Sequence, residues 1–359
     1  MTSASDIAPV AGPLPGDRRR KARTAVLLLA CAAAVAAIAS LSLGPASLSL
    51  ADLWSAVFGG EAENRHAGLI LYDIRLPRTV LGLFVGAALG VAGGMMQGLF
   101  RNPLADPGLV GVSAGAALAA TTAIFLGGRL LPAGYESLSP HLVSLAAFGG
   151  GLVTTVTLYV VATREGRTSV ATMLLAGIAL GALAASLTGL IVFLADDRTL
   201  RDITFWSLGS LGGGTWNKAF AAGLLIVPVL AVAPMIGNAL NALQLGEAEA
   251  AHLGIEVERT KRLMILLVAA AVGAAVAVSG VIGFIGLVVP HLLRLSIGPD
   301  NRFLLPAAGL LGATLLVGAD IVARTIVTPA ELPIGIVTAA VGAPFFLWLV
   351  LKQRGILDL

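Results

Sequence analysis

Asp320 and Arg324 stand four residues apart inside an otherwise apolar run, which puts both side chains on one face of a helix. A carboxylate at membrane depth marks a functional site unless a partner neutralises it, and here the arginine is in reach, near one end of the run. A proton relay would need further acids strung along a path, and the other apolar runs carry almost no ionisable groups. The four histidines, His66, His141, His252 and His291, are scattered, so no cluster has the spacing of metal ligands. The single cysteine, Cys31, excludes a disulfide within the chain. No Gly-Lys pair occurs anywhere, which excludes a phosphate loop of the G-x-x-x-x-G-K-[ST] kind. No nucleophile stands in a catalytic setting. These residues point away from an enzyme and away from a metal or cofactor bound by this chain.

The elements that must position such residues are set by composition. Of 359 residues 57% are apolar and 12% charged, with a mean hydropathy of +0.93. A soluble domain carries about 25% charged residues, so the solvent of this chain must be lipid. A spanning helix needs about 20 apolar residues. Runs of that kind lie near 24–43, 77–100, 108–127, 141–163, 171–195, 219–240, 263–286, 303–323 and 334–351, with a shorter piece at 287–297 holding Pro290, His291 and Arg294. Ten segments predict an all-α polytopic membrane protein with both termini on one side. The first run follows Arg18, Arg19, Arg20, Lys21 and Arg23 but is longer than a signal-peptide core, so it reads as a retained span. The expected organisation is a basic tail at 1–23, disordered where it is rich in Ala, Pro and Ser, then a permeating domain at 24–351 and a short tail at 352–359. Ten crossings place fifteen of the 23 basic residues on the side of the termini, which makes that side cytoplasmic.

Glycines take the place of large side chains. Gly82, Gly86, Gly90, Gly94 and Gly98 recur every fourth residue and line one stripe of the second span. Gly177, Gly181, Ala185 and Gly189 repeat the pattern in the fifth. Such stripes serve either tight helix packing or a smooth face beside a pathway or a second subunit. The loop Asn241–Arg262 holds a short helix, GEAEAAHLG, between Gly246 and Gly254. It reads equally as a solvated connector or as a rigid element that docks in a groove of an ATPase subunit.

Residues 74–118, IRLPRTVLGLFVGAALGVAGGMMQGLFRNPLADPGLVGVSAGAAL, resemble the second and third spans of the ABC importer permeases for iron-siderophores, heme and cobalamin. GVIGFIGLVVPHLLRL at 280–295, GADIVARTIVTPAELPIGIVTAAVGAPFFLWLVLK at 318–352 and TFWSLGSLGG at 204–213 resemble further motifs of that family, in its order. The resemblance implies a type II ABC importer permease fold of about ten helices per subunit, a homodimer in the bacterial inner membrane, two ATPase subunits that hold ATP and Mg, and a periplasmic binding protein. It implies no nucleic-acid partner. It places Arg75, Arg78 and Arg324 as the arginines that meet glutamates of the binding protein, a task that suits a planar, bidentate cation. It places Asn102 and Leu104 of RNPLADPG at a cytoplasmic gate. There Pro103 and Pro107 forbid a regular helix, so the backbone must be buried in protein or line a cavity. It assigns ATPase coupling to Gly246, Glu247, Ala248, Glu249, Ala250, Ala251, His252, Leu253 and Gly254. Within the family the motifs look most like heme permeases, with ferric siderophores and then cobalamin as alternatives. An ion-coupled secondary carrier and a channel are the rival classes outside it; the shortage of intramembrane acids disfavours the first.

Overall fold

The computed structural model describes residues 18–45, 54, 65–130, 139–327 and 329–357. Of the expected basic tail, residues 1–17 lie outside the described residues, as do 358–359 at the other terminus. Among the described residues, seven helices are long and apolar enough to cross a membrane and three shorter apolar ones complete a set of ten.

The chain builds α1 (Arg19–Ser42), α2 (Leu76–Leu99), α3 (Val112–Leu130), α4 (Ser139–Ala162) and α5 (Val170–Leu194). A short amphipathic α6 (Asp197–Ser207) follows, then α7 (Trp216–Val232), α8 (Gly237–Leu245) and a two-turn α9 (Glu247–His252). The last four are α10 (Val257–Ser279), α11 (Ile285–Ile297), α12 (Asn301–Thr325) and α13 (Ile334–Leu357). Polar residues stand where helices begin. Ser169, Asp196, Thr215 and Asp300 each accept a hydrogen bond from a backbone N–H of the first turn they precede, which satisfies donors that have no partner inside the helix.

The central element is α2. A helix buried on all sides must be apolar or small all round, and α2 is so except for Arg78 and Gln97 near its two ends. It packs chiefly on α12, with α7, α10 and α11 completing its surroundings. The glycine stripe explains how the backbones come so close. A Cβ on Gly86 would lie against the Gly312 carbonyl and 2.8 Å from Ala313 Cα, and one on Gly90 would lie 3.0 Å from the Ala308 carbonyl carbon; off the stripe, one on Gly93 would lie 2.7 Å from Gly286 Cα. The stripe on α5 has the same spacing and a different fate, because a Cβ on Gly181 or Gly189 would meet nothing within 4 Å. The same four-residue spacing thus serves a packed core on α2 and, at Gly181 and Gly189, an open face on α5.

Pro77 has no N–H to give the preceding turn, and the backbone widens into a π-helical turn at Ile70–Arg75 before α2 proper. The expected span 263–286 ends early. α10 stops at Ser279, Gly280 takes φ +70° and Phe284 φ +68°, and the chain re-enters a helix only at Ile285. The break is docked from outside: Ser210 N–H donates to Ser279 O at 2.8 Å, and the Trp206 carbonyl fills the space where a Gly280 Cβ would stand. The final helix runs on to Leu357, into the segment expected as a tail.

Candidate functional site

Three regions hold the residues that chemistry and motif singled out. One end of the bundle carries Arg75, Arg78 and Arg324. The opposite, basic end carries the α2–α3 turn and α9.

The three arginines come together, but not as an exposed patch: Arg75, Arg78 and Arg324 are 3%, 7% and 2% exposed. Each has internal partners. Arg78 grips Asp320 through Nε at 3.1 Å to both oxygens and through Nη2 at 2.8 Å, and its Nη1 donates to Glu331 at 2.9 Å. Arg324 donates to the Ser40 carbonyl at 2.9 Å and to Ser40 Oγ at 2.7 Å, while its Nε lies 3.6 Å from Asp320. Ser40 Oγ is also 2.7 Å from Thr79 Oγ1. Arg75 donates to Leu41 O and, at 2.8 Å, to Ser42 O. These carbonyls belong to the last turn of α1, where no intrahelical donor reaches them. The arginines therefore clamp the end of α1 to α2 and α12. The i, i+4 pair read from sequence is present, yet the better partner of Asp320 is Arg78, from another helix. Glu331, 38% exposed at its side chain, stands between Arg78 and solvent. Nothing in the sequence pointed to Glu331 or Ser40.

At the basic end, Asn102 is exposed and Leu104 half-buried. Asn102 Oδ1 accepts from Leu104 N–H at 2.9 Å, an Asx turn that holds the loop tight. Asp106 Oδ1 accepts from Gly108 N–H at 2.7 Å and caps a short helical turn, Pro107–Val110, which ends at Gly111 with φ +74°. Burial pushes the Asp106 carboxyl above its ordinary range, and the Gly108 N–H draws it partly back. Pro107 packs on Gly286, and Gln97 links α2 to α11 by donating to Leu287 O at 3.1 Å and accepting from Arg294 at 3.3 Å.

The α9 element stands off the same end. Gly246 and Gly254 take φ +135° and +84° and set its two corners. Ala250 is fully buried beneath it, while Ala248, Glu249, Ala251, His252 and Leu253 face outward, Leu253 being 63% exposed. The element is fastened by a residue that sequence reading did not single out. Buried Lys261 lies 2.7 Å from Glu247 and 3.1 Å from Glu258 and donates to the Thr168 carbonyl at 3.0 Å. Thr168 belongs to a small antiparallel hairpin, Thr163–Arg164 with Arg167–Thr168. Glu258, three residues before Lys261, was the one available signal. Among the described residues no three of His, Cys, Asp and Glu gather as a metal group.

The bundle thus combines a break between α10 and α11, a proline turn at its basic end and a two-turn helix presented at that same end. Residues 31–352 match the family model described as the FecCD transport family. The chain belongs to that family. It is 47% identical over 320 residues to the hemin transport system permease protein HmuU of Yersinia pestis, covering 89% of this chain and 93% of that protein. It is 41% identical over 339 residues to the vitamin B12 import system permease protein BtuC of Serratia proteamaculans, covering 94% and 96%. Among solved structures, an inward-facing metal-chelate type ABC transporter superposes with a TM-score of 0.80 at 31% identity, covering 92% of this chain and 99% of that one. The protein is thus a non-catalytic, multi-pass permease subunit of a bacterial ABC importer, a class that works with an ATPase and a binding protein.

Proposed function

We propose that this permease carries heme from periplasm to cytoplasm as a homodimer, driven by two ATPase subunits that bind ATP and Mg. The observation that carries the substrate reading is the 47% identity to a hemin permease over nearly the whole chain. Both termini lie on the cytoplasmic side in this reading, in accord with the basic end of the bundle. The turn at Asn102 and Leu104 is the cytoplasmic gate. Residues Gly246 through Gly254 seat the ATPase, supported by the outward apolar side chains of α9. The open α5 face with Gly181 and Gly189 turns to the pathway or the second copy, since lipid-tail packing needs no smooth groove.

Docking of the binding protein uses Arg75, Arg78 and Arg324 by exchange of partners rather than by a free patch. An incoming glutamate displaces Glu331 from Arg78, while Arg75 and Arg324 hold the platform. Glu331→Gln should then tighten docking severalfold, because the competing charge is gone; unchanged affinity would remove Arg78 from the interface.

The test of the whole reading is uptake. The permease is reconstituted in proteoliposomes with its ATPase and binding protein, and ATP-dependent accumulation of heme, a ferric siderophore and cobalamin is compared. Accumulation of heme alone, surviving collapse of ion gradients, is the expected result. Preference for cobalamin or a siderophore would overturn the substrate, and gradient-driven uptake without ATP would overturn the mechanism.

A further inference from the structure

Two depressions outside the regions above run along one seam of the bundle. The first, about 450 Å³, opens at the basic end where α1, α8 and α12 begin or end. Its polar lining is Arg18, Arg19, Asn241, Gln244, Asp300 and Arg302. The second, about 430 Å³, lies farther along α1 and α12, between them and α2, α7 and the turn after α7, with Ala34, Ala37, Phe84, Leu230, Pro234 and Leu310 on its walls. One is basic and polar, the other almost wholly apolar.

Their separation is set by helix rise. On α1 the nearest lining residues, Ala22 and Ala33, are eleven residues or about 16 Å apart; on α12 the two linings nearly meet, Phe303 and Leu305 being about 3 Å apart in rise, and together they span Asp300 to Ala313, about 20 Å. Half of a bilayer's hydrocarbon core is about 15 Å deep. The pair therefore has the dimensions of one lipid in one leaflet, with its head below and a chain above.

Charge selects the head. Among the described residues, three arginines and one acid line the lower pocket, and that acid is already engaged. Asp300 accepts from Arg302 Nε at 2.9 and 3.1 Å and from Asn241 at 2.8 Å, and it caps α12. Arg18 and Arg19 are exposed, and Arg20, Lys21 and Arg23 extend the positive field around the first turn of α1. A basic pocket between spans at the cytoplasmic face suits an anionic headgroup. The outer face of α1, with Leu27, Leu28, Val35 and Ile38 exposed, gives a second acyl chain its path.

We propose that this seam is a binding site for one anionic diacyl phospholipid, its phosphate held by Arg18 and Arg19 beside Arg302, and one chain in the groove between α1, α7 and α12. The lipid fastens α1, which is otherwise the least buried of the long spans, to the core of the subunit.

The test uses the full-length permease, delipidated in detergent, with phosphatidylglycerol and phosphatidylethanolamine of identical chains titrated and counted by native mass spectrometry. Phosphatidylglycerol should bind at least tenfold more tightly. Each arginine near a charged lipid is worth about a fivefold change, so R18A/R19A should weaken phosphatidylglycerol about 25-fold and leave phosphatidylethanolamine unmoved. Ala34→Phe, which fills the groove without touching the arginines, should weaken the lipid at least tenfold as well. Both sites are exposed, and an unchanged melting temperature in lipid-free detergent verifies the fold. Equal binding of the two lipids, or no effect of R18A/R19A, would overturn the proposal. So would displacement by inorganic phosphate at equal concentration, which would make the site a free-anion site, or displacement by equimolar hemin, which would make it an accessory substrate site. Disulfide-linked dimers formed through Ala34→Cys in a Cys31→Ser background, which removes the exposed native thiol one turn away, would give the groove to a second copy and overturn it too.

Discussion

Replacing Asp320 by Asn removes one charge from a cluster that cannot spare it. In the folded chain its carboxylate accepts three hydrogen bonds from Arg78, the shortest 2.8 Å, and sits 3.6 Å from Arg324 Nε. All three side chains are at most 8% exposed, so water cannot replace the lost partner. Breaking a buried pair costs about 3–5 kcal/mol, chiefly from the charge left behind. Glu331 still holds one edge of Arg78, which places the expected loss near the lower bound, at about 3 kcal/mol. The assay is thermal unfolding of D320N in one fixed lipid–detergent mixture, where a fall of about 5 °C or more is expected for a chain this long. Removing both charges should be milder than removing one. The double variant Asp320→Leu with Arg78→Met is therefore predicted to recover part of the loss, since the desolvated Arg78–Asp320 pair is gone while Arg324, still bonded to Ser40, is left without its acid. A single variant that melts within 1 °C of wild type would refute the reasoning, as would a double variant no more stable than the single.

Gly86→Ala should destabilise the subunit by about 1–3 kcal/mol, because the new Cβ meets the backbone of Gly312 and Ala313. Gly149→Ala, also mid-helix but with nothing within 4 Å, should melt unchanged or slightly higher, and an equal loss in both would show that packing is not the cause. Charging the outward face of α9 with Ala251→Asp and Leu253→Asp should lower ATPase co-purification more than tenfold while the melting temperature stays put; retained ATPase would remove α9 from that interface. Asp300 has its pKa lowered to about 2, first by the bond from Arg302, so its cap is complete above the ordinary carboxylate pKa near 3.8 and is lost as pH falls through that value towards about 2. Asp300→Ala should accordingly cost about 1 kcal/mol at pH 7, discounted for a partly exposed pair, and the gap to wild type should close between about pH 4 and pH 2 in an unfolding titration.

Hydropathy located the ten segments because lipid demands long apolar runs whatever their tertiary contacts. It could not see the break at Gly280–Phe284, since the residues around it, Ser279 apart, are apolar and a helix end there costs nothing in hydrophobicity. Docking of the Trp206–Ser210 segment, the end of α6 and the chain after it, against that break is a long-range fact. The arginines show the same limit from the other side. Their presence at one end of the bundle was legible from motif and span order, but their burial depends on Ser40, Asp320 and Glu331, separated from them by up to 284 residues in sequence. The two glycine stripes are the plainest case. Gly86 and Gly181 have the same four-residue spacing around them, and only the neighbour decides whether the face is filled by another backbone or left open.

Under the proposed assignment of α9 to the ATPase and of the Asn102–Leu104 turn to the gate, the same contacts bear on how work done at one reaches the other. The turn at Asn102–Asp106 joins α2, whose backbone is locked against α12 and α11, to α3, which is paired with α4 through the close approach of Gly115 and Gly150. Two blocks therefore meet at the turn, each too tightly packed to deform internally. One span, α10, packs on both, against α2 on one side and α4 on the other. It begins five residues after α9 ends. Lys261 binds that first turn to Glu247 of α9 and to the Thr168 carbonyl of the hairpin that leads out of α4. A displacement of α9 is thus delivered at the seam between the blocks rather than within either, and the proline turn that bridges the seam is the part whose backbone must yield.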